Sequence, residues 1–207
     1  RIVEGDKFTR AGKYQGWVPQ LLLGTDVYGK TLGIVGLGRI GVAVTERAKG
    51  FGMKVVYTDP KPNPDFEKKY GARYADLATL LKQSAFVSLH VPLLPSTRHL
   101  ISTKQFTRMK PNAFLINTAR GPIVDEKALL LALKNKKIAG AGIDVFECEP
   151  SIDCDLSDHL ELKKFNNVIL TPHTASATVE TRQAISRTAA TNIIAALSGK
   201  IPPNLVT

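Results

Sequence analysis

The chain is predicted to be an α/β domain built on a doubly wound parallel sheet, and three observations predict it. Short apolar runs alternate with helical patterns from about residue 30 to residue 199. The runs are continuous and rich in Val, Ile and Leu, as strands covered on both faces require. With 207 residues, 43% of them hydrophobic, the chain is long enough to bury a sizeable core, and neither a disordered tail nor a fibre fits that composition.

Taken in order, KTLGIVGL (30–37) reads as a strand and RIGVAVTERAKGF (39–51) as a helix. MKVVYT (53–58) is a strand, and YADLATLLKQS (74–84) a helix with leucines at helical spacing. AFVSLHV (85–91) is a strand, STKQFTRMK (102–110) a short helix and AFLINT (113–118) a strand. DEKALLLALKNKK (125–137) is a helix with acids in its first turn and lysines in its last, which suits the helix dipole. IAGAGIDVF (138–146) and NVILT (167–171) close the strand series, and a long helix over 178–199 stops at Gly199. The opening RIVEGDKFTRAGKYQGW resembles the tail of a helix that began earlier, so a polypeptide longer on its N-terminal side is expected.

Several function classes are disfavoured. No apolar run approaches the ~20 residues of a membrane-spanning helix, so no membrane partner is expected. The net charge of +10 comes from scattered residues such as Lys68–Lys69, Lys134, Lys136–Lys137 and Lys163–Lys164. No basic stripe with interleaved aromatics forms, and nucleic acid is not an expected partner. Cys148 and Cys154 lie six positions apart in an acidic loop, a spacing that matches no usual zinc or redox pattern. No metal site is expected, and two plain thiols suit a reducing cytoplasm.

The strand runs end in an unusual set of residues: Gly36–Gly38, Asp59, His90–Val91–Pro92, Asn117–Arg120, Asp144 and His173. In a parallel sheet all carboxyl ends lie on one edge, which is where such folds bind ligands. GIVGLGRIG supplies Gly36, Gly38 and Gly41 as G-x-G-x-x-G between a strand and a helix. The first glycine permits the tight turn, the second lets backbone approach a pyrophosphate, and the third lets helix and strand pack closely. Helix N–H groups then face the phosphates. Asp59 ends the next strand, 18 residues past Gly41, where a carboxylate can accept both ribose hydroxyls and repel a 2′-phosphate. The expected cofactor is therefore NAD, and the fold is Rossmann-type.

Arg120 precedes the rigid Gly121–Pro122 turn, where a guanidinium can grip a carboxylate through two parallel hydrogen bonds. His173, in LTPHTAS, is the expected general acid, since imidazole titrates near neutral pH. A carboxylate beside it would stabilise imidazolium. Glu149, Glu147 and Asp144 are equally placed for that role by spacing alone. His90 is a candidate for lining the cofactor pocket, while His99 and His159 read as structural.

With GLGRIG, NTARGPIVDE, GAGIDVFECEP and LTPHTAS in this order, the chain resembles the D-isomer-specific 2-hydroxyacid dehydrogenases over essentially its whole length. That family includes the glyoxylate/hydroxypyruvate reductases and phosphoglycerate dehydrogenase. The likeness covers the family's nucleotide-binding domain and lacks its substrate domain. It implies an oxidoreductase moving hydride between NAD(H) and a small 2-oxo or D-2-hydroxy acid, with Arg120, Glu149 and His173 as the catalytic trio. Arg120 would orient the substrate carboxylate and carbonyl, His173 would donate the proton, and Glu149, directly before Pro150, would support His173. By the same resemblance Arg39 and Ile40 match the pyrophosphate contact and Asp144 a residue near the nicotinamide carboxamide. Val91, Pro92, Thr118, Ala119, Arg120, His173, Thr174, Ala175 and Ser176 match the remaining cofactor shell.

Two departures stand out: Thr174 and Ala175 replace the usual aliphatic residue and glycine, and the loop from Cys148 to Phe165 is longer than typical. The expected division is 1–28 as lead-in helix and dimer-contact segment, 29–199 as core, and 200–207 as a tail toward the substrate domain. A cytoplasmic homodimer is expected, and the fragment alone is expected to be inactive. Two rival functions share the trio: oxidation of another small anion such as phosphite, and non-enzymatic NADH sensing like that of the family's corepressor relatives.

Overall fold

In the computed structural model, which describes residues 1–149 and 161–206, the apolar runs form one parallel sheet of seven strands. These are β1 (Thr31–Val35), β2 (Lys54–Thr58), β3 (Arg73–Tyr74), β4 (Phe86–Leu89), β5 (Phe114–Asn117), β6 (Gly140–Ile143) and β7 (Val168–Leu170). Their order across the sheet is β3-β2-β1-β4-β5-β6-β7, so the chain reverses its direction of travel between β1 and β4. That reversal point is where doubly wound folds open a ligand crevice.

The helices are α1 (Ile2–Arg10), α2 (Arg39–Gly50), α3 (Pro64–Tyr70), α4 (Leu77–Gln83), α5 (Thr103–Phe106), α6 (Glu126–Lys134) and α7 (Val179–Leu197). Their starts follow from local chemistry. Asn63, Asp76, Asp125 and Thr178 each accept a hydrogen bond from a backbone N–H of the first turn, which satisfies a donor the helix itself cannot. α2 is different: Gly38 caps it and offers no side chain.

The sheet is buried on both faces because alternate residues feed opposite layers. Leu32, Ile34, Val55 and Tyr57 pack with Ala48 and Phe66 on one side. Val35 and Val56 join Leu80, Leu89, Leu115, Leu129 and Ile143 in the larger cluster on the other. Apolar periodicity does not predict α3 or β3. The signals for α3 are nonetheless local: Asn63 as cap, Pro64 in the first turn and Gly71 left-handed at the end. β3 is two residues long and too short to carry a pattern.

Among the described helices, two bury nothing. No residue of α1 or of the 19-residue α7 is buried. Trp17, Leu23 and Tyr28 in the segment after α1, and Val179, Ile185, Ile193, Ile194 and Leu197 on α7, all stand exposed.

Candidate active site

The pairing register aligns the strand ends in one row: Thr58 beside Val35, Val35 beside Leu89, Leu89 beside Asn117, Asn117 beside Ile143, and Ile143 beside Leu170. The next residues along each strand therefore share one edge: Asp59, Gly36, His90, Thr118, Asp144 and Thr171. Adjacent strands are about 4.8 Å apart, so the ends of β5 and β7 lie about 10 Å from one another across β6. Arg120 leaves from the first of these ends and His173 from the second.

The glycine turn occupies the switch point. Gly36 has φ +96°, a conformation natural only to glycine, and a Cβ there would lie 2.8 Å from the His90 carbonyl carbon and the Val91 nitrogen. A Cβ on Gly41 would sit 2.3 Å from the Gly36 oxygen, so helix and strand touch through that glycine. Gly38 is the reverse case: nothing lies within 4 Å of where its Cβ would be. Backbone N–H groups at the start of α2 thus face an open space without a side-chain cap, a cradle that suits a pyrophosphate. Arg39 and Ile40 are exposed beside it.

Asp59 is half-buried, and its Oδ1 accepts a hydrogen bond from the Leu37 N–H at 2.9 Å. The carboxylate thereby braces the glycine turn and keeps its other oxygen for a ligand. His90 pairs through Nε2 with Ser88 Oγ at 2.9 Å, and burial pushes its pKa down to about 4. It is neutral at physiological pH and backs the turn rather than contributing charge. Val91 is half-buried and Pro92 exposed on the same rim. These residues fit a dinucleotide lying from β2 across β1 toward β5.

At the β5 end, Asn117 is 1% exposed. Its amide donates to the Arg120 carbonyl at 2.9 Å and accepts from the Ala119 N–H at 3.1 Å, which shapes the loop carrying Thr118, Ala119 and Arg120. The Arg120 guanidinium is exposed, donates to the Ala119 carbonyl at 2.6 Å, and forms no salt bridge with a carboxylate among the described residues. It is therefore available to an incoming anion. Gly121 then presses on the backbone after β6: a Cβ would be 1.7 Å from the Phe146 oxygen and 2.5 Å from the Glu147 nitrogen.

Asp144, at the end of β6, is 3% exposed and organises the turn that bears His173. Its Oδ1 accepts from Thr171 Oγ1 at 2.5 Å and from the Thr174 N–H at 2.8 Å, and its Oδ2 accepts from the Ala175 N–H at 2.8 Å. Its backbone oxygen takes the His173 N–H at 2.8 Å. Burial alone would raise the Asp144 carboxyl; the bonds from Thr171, Thr174 and Ala175 outweigh it and hold the group below the ordinary Asp value. His173 adopts φ +53°, an uncommon backbone for a non-glycine residue that this web of bonds enforces.

His173 Nδ1 meets Glu149 Oε2 at 2.9 Å, and both side chains are partly exposed. Of the three acids that spacing left open, Glu149 is the one on the imidazole. Asp144 bonds the turn, and Glu147 bonds His99 at 2.5 Å and Arg98 at 3.2 Å. The contact occupies Nδ1 and leaves Nε2 without a hydrogen bond among the described residues, the arrangement of a general acid. Thr174, Ala175 and Ser176 are exposed beside it.

Spacing carries no signal for the roles of Leu37 and Glu147, whose partners lie 22 and 21 to 49 residues away; Ser88 bonds His90 only two residues on, but nothing in the pattern marks that pair. Pro150, Cys154, His159 and most of the long loop 148–165 fall outside the described residues. Cys148 is disulfide-bonded, which corrects the expectation of two plain thiols and removes the argument for a reducing compartment built on them. Among the described residues no group of His, Cys, Asp and Glu could hold a metal ion, and no helix is long and apolar enough to cross a membrane.

Residues 1–175 match the family model of the D-isomer specific 2-hydroxyacid dehydrogenase NAD binding domain. The chain is 54% identical, over its whole length, to a glyoxylate reductase of Korarchaeum cryptofilum, of which it covers 61%. It superposes with TM-score 0.89 and 42% identity on a crystal structure of a Thermus thermophilus protein, covering 63% of that chain. A D-lactate dehydrogenase from Lactobacillus jensenii, solved with NAD+, gives TM-score 0.84 and 37% identity, again with 63% of that chain covered. The chain thus spans about three fifths of the length of the relatives it matches. It belongs to the D-isomer-specific 2-hydroxyacid dehydrogenases, as their NAD-binding domain.

Proposed function

We propose that the polypeptide carrying this domain reduces a small 2-oxo acid, such as glyoxylate or hydroxypyruvate, to the D-2-hydroxy acid with NADH. The observation that carries the proposal is the 2.9 Å contact between Glu149 and His173 Nδ1, on the sheet edge that holds the glycine turn. Bound NADH supplies the hydride. Arg120 takes the substrate carboxylate in a two-pronged grip, and it keeps the carbonyl within reach of His173. His173 Nε2 delivers a proton to the carbonyl oxygen, while Glu149 holds Nδ1 and stabilises the cationic ring before transfer. Gly36, Gly38, Arg39, Ile40 and Gly41 cradle the pyrophosphate. Asp59 binds the adenosine ribose, and Val91, Pro92, Thr118, Ala119, Asp144 and Thr174–Ser176 complete the cofactor shell.

Residues 1–28 are the lead-in and dimer-contact segment, 29–199 the core, and 200–207 the tail toward a substrate domain. The exposed Trp17, Leu23 and Tyr28 support a homodimer through the first of these segments. The enzyme works in the cytoplasm, on the ground that free NADH is available there. In the full-length polypeptide, His173→Ala should lower kcat by about 10²-fold or more and leave NADH affinity within about twofold. Unchanged turnover of every 2-oxo acid offered would remove His173 from the chemistry.

A further inference from the structure

We propose that Glu147 is a positioning residue: clasped by Arg98, His99 and the first residue of α6, it fixes the loop that brings Glu149 onto His173. The inference rests on the hydride-transfer reading above and extends it to residues that touch neither substrate nor cofactor.

The problem Glu147 solves is physical. Glu149 and His173 have side chains 34% and 52% exposed, and an exposed ion pair contributes too little to hold two side chains in one geometry. The orientation has to come from the backbone that carries Glu149. Two residues upstream, Glu147 is tied at both ends. Its N–H donates to Glu126 Oε1 at 2.7 Å, and its Oε2 receives the Glu126 N–H at 3.4 Å. Its Oε1 takes His99 Nε2 at 2.5 Å and Arg98 Nη2 at 3.2 Å. Glu126 itself is 4% exposed, so one anchor lies inside the protein.

The clasp joins three loops on the ligand edge. His99 donates its own N–H to the Pro122 carbonyl at 2.8 Å and sits at φ +49°, a backbone state kept only where surroundings impose it. Gly121 packs directly on Phe146 and the Glu147 nitrogen, with no room for a methyl group. Arg120 precedes Gly121 and Glu149 follows Glu147 by two residues. The guanidinium and the acidic partner of the imidazole are thus set on one frame, and Glu147 is its bolt. A displacement of even 1 Å at a reacting group costs on the order of 10²-fold in rate.

Two measurements on Glu147→Ala test the proposal against a purely stabilising role. In the chain itself, long-range 1H–15N correlation of the neutral imidazoles reports which ring nitrogen of His173 carries the proton. Glu149 at Nδ1 favours the Nδ1–H form, and the variant should shift His173 toward the Nε2–H form, as Glu149→Ala should. In the full-length polypeptide, kcat should fall about tenfold with the KM for NADH within about twofold, and Glu147→Gln, which keeps an acceptor oxygen, should restore most of the loss. His99→Asn, which tolerates the left-handed backbone, loosens the same clasp from the other side and serves if Glu147→Ala does not fold. An unchanged His173 tautomer in a folded variant would overturn the proposal. If the full-length wild type turned over no 2-oxo acid, the hydride-transfer reading would fail while the tautomer measurement still decided the role of Glu147.

Discussion

Asp144→Asn is the substitution whose consequence the structure defines best. It changes one oxygen to an amide and preserves shape. The carboxylate accepts three hydrogen bonds, two on Oδ1 from Thr171 and the Thr174 N–H and one on Oδ2 from the Ala175 N–H. An amide can present its oxygen to the first two donors, which leaves its NH2 facing the third. One bond becomes a donor–donor contact and the other two lose their charge assistance. Hydrogen bonds to a charged group contribute about 1.5–3 kcal/mol each. Residues 171–178 are exposed and can yield somewhat, so the expected cost at neutral pH is about 2–3 kcal/mol.

The sign of the pH dependence follows from the lowered carboxyl of Asp144. Its contribution is fully present above the unfolded pKa of about 3.9 and is lost as pH falls through the lower folded value. Urea unfolding of wild type and variant should therefore differ at pH 7 and converge as pH drops below about 4. A difference under about 0.5 kcal/mol at pH 7, or one that persists undiminished in acid, would refute the assignment of Asp144 as the anchor of the His173 turn.

Gly121→Ala should destabilise by about 3 kcal/mol or more, because its Cβ would lie 1.7 Å from the Phe146 carbonyl oxygen, a backbone atom that cannot rotate away. Gly142→Ala in β6 is the control: its Cβ meets nothing within 4 Å, and denaturation midpoints should barely move. His90, whose pKa lies at about 4, binds its proton less readily folded than unfolded. Between pH 6.5 and about 4 it should make stability fall with pH, a slope that His90→Gln removes in urea titrations at stepped pH.

The legible part of this protein is local. The glycine turn, the acid at the end of β2 and the apolar strands announce themselves through spacing of two to about twenty residues, so the sheet and its ligand edge follow. Asn63 and Pro64 signal α3 as clearly as any cap, yet that segment carries no apolar periodicity to draw attention. The site's finer wiring is not legible, for a physical reason. Glu147 finds its partners 21 and 48–49 residues away, and Asp144 bonds a turn some 30 residues on. Hydrogen bonds across such separations leave no periodic trace. Spacing alone cannot choose among Glu149, Glu147 and Asp144, although family resemblance can. The coordinates show that each acid has its own partner.

The central claim is that one sheet edge gathers the glycine turn, Arg120, Glu149 and His173 around a dinucleotide. Titration of the 15N-labelled chain with NADH, followed by backbone amide shifts, measures this directly. The account predicts saturable changes at Gly36–Gly41, Asp59, Val91, Thr118–Arg120, Asp144 and His173–Ser176, with weaker binding of NADPH because of Asp59. Shifts confined to other surfaces, or equal affinity for NADPH with no response at Asp59, would contradict it.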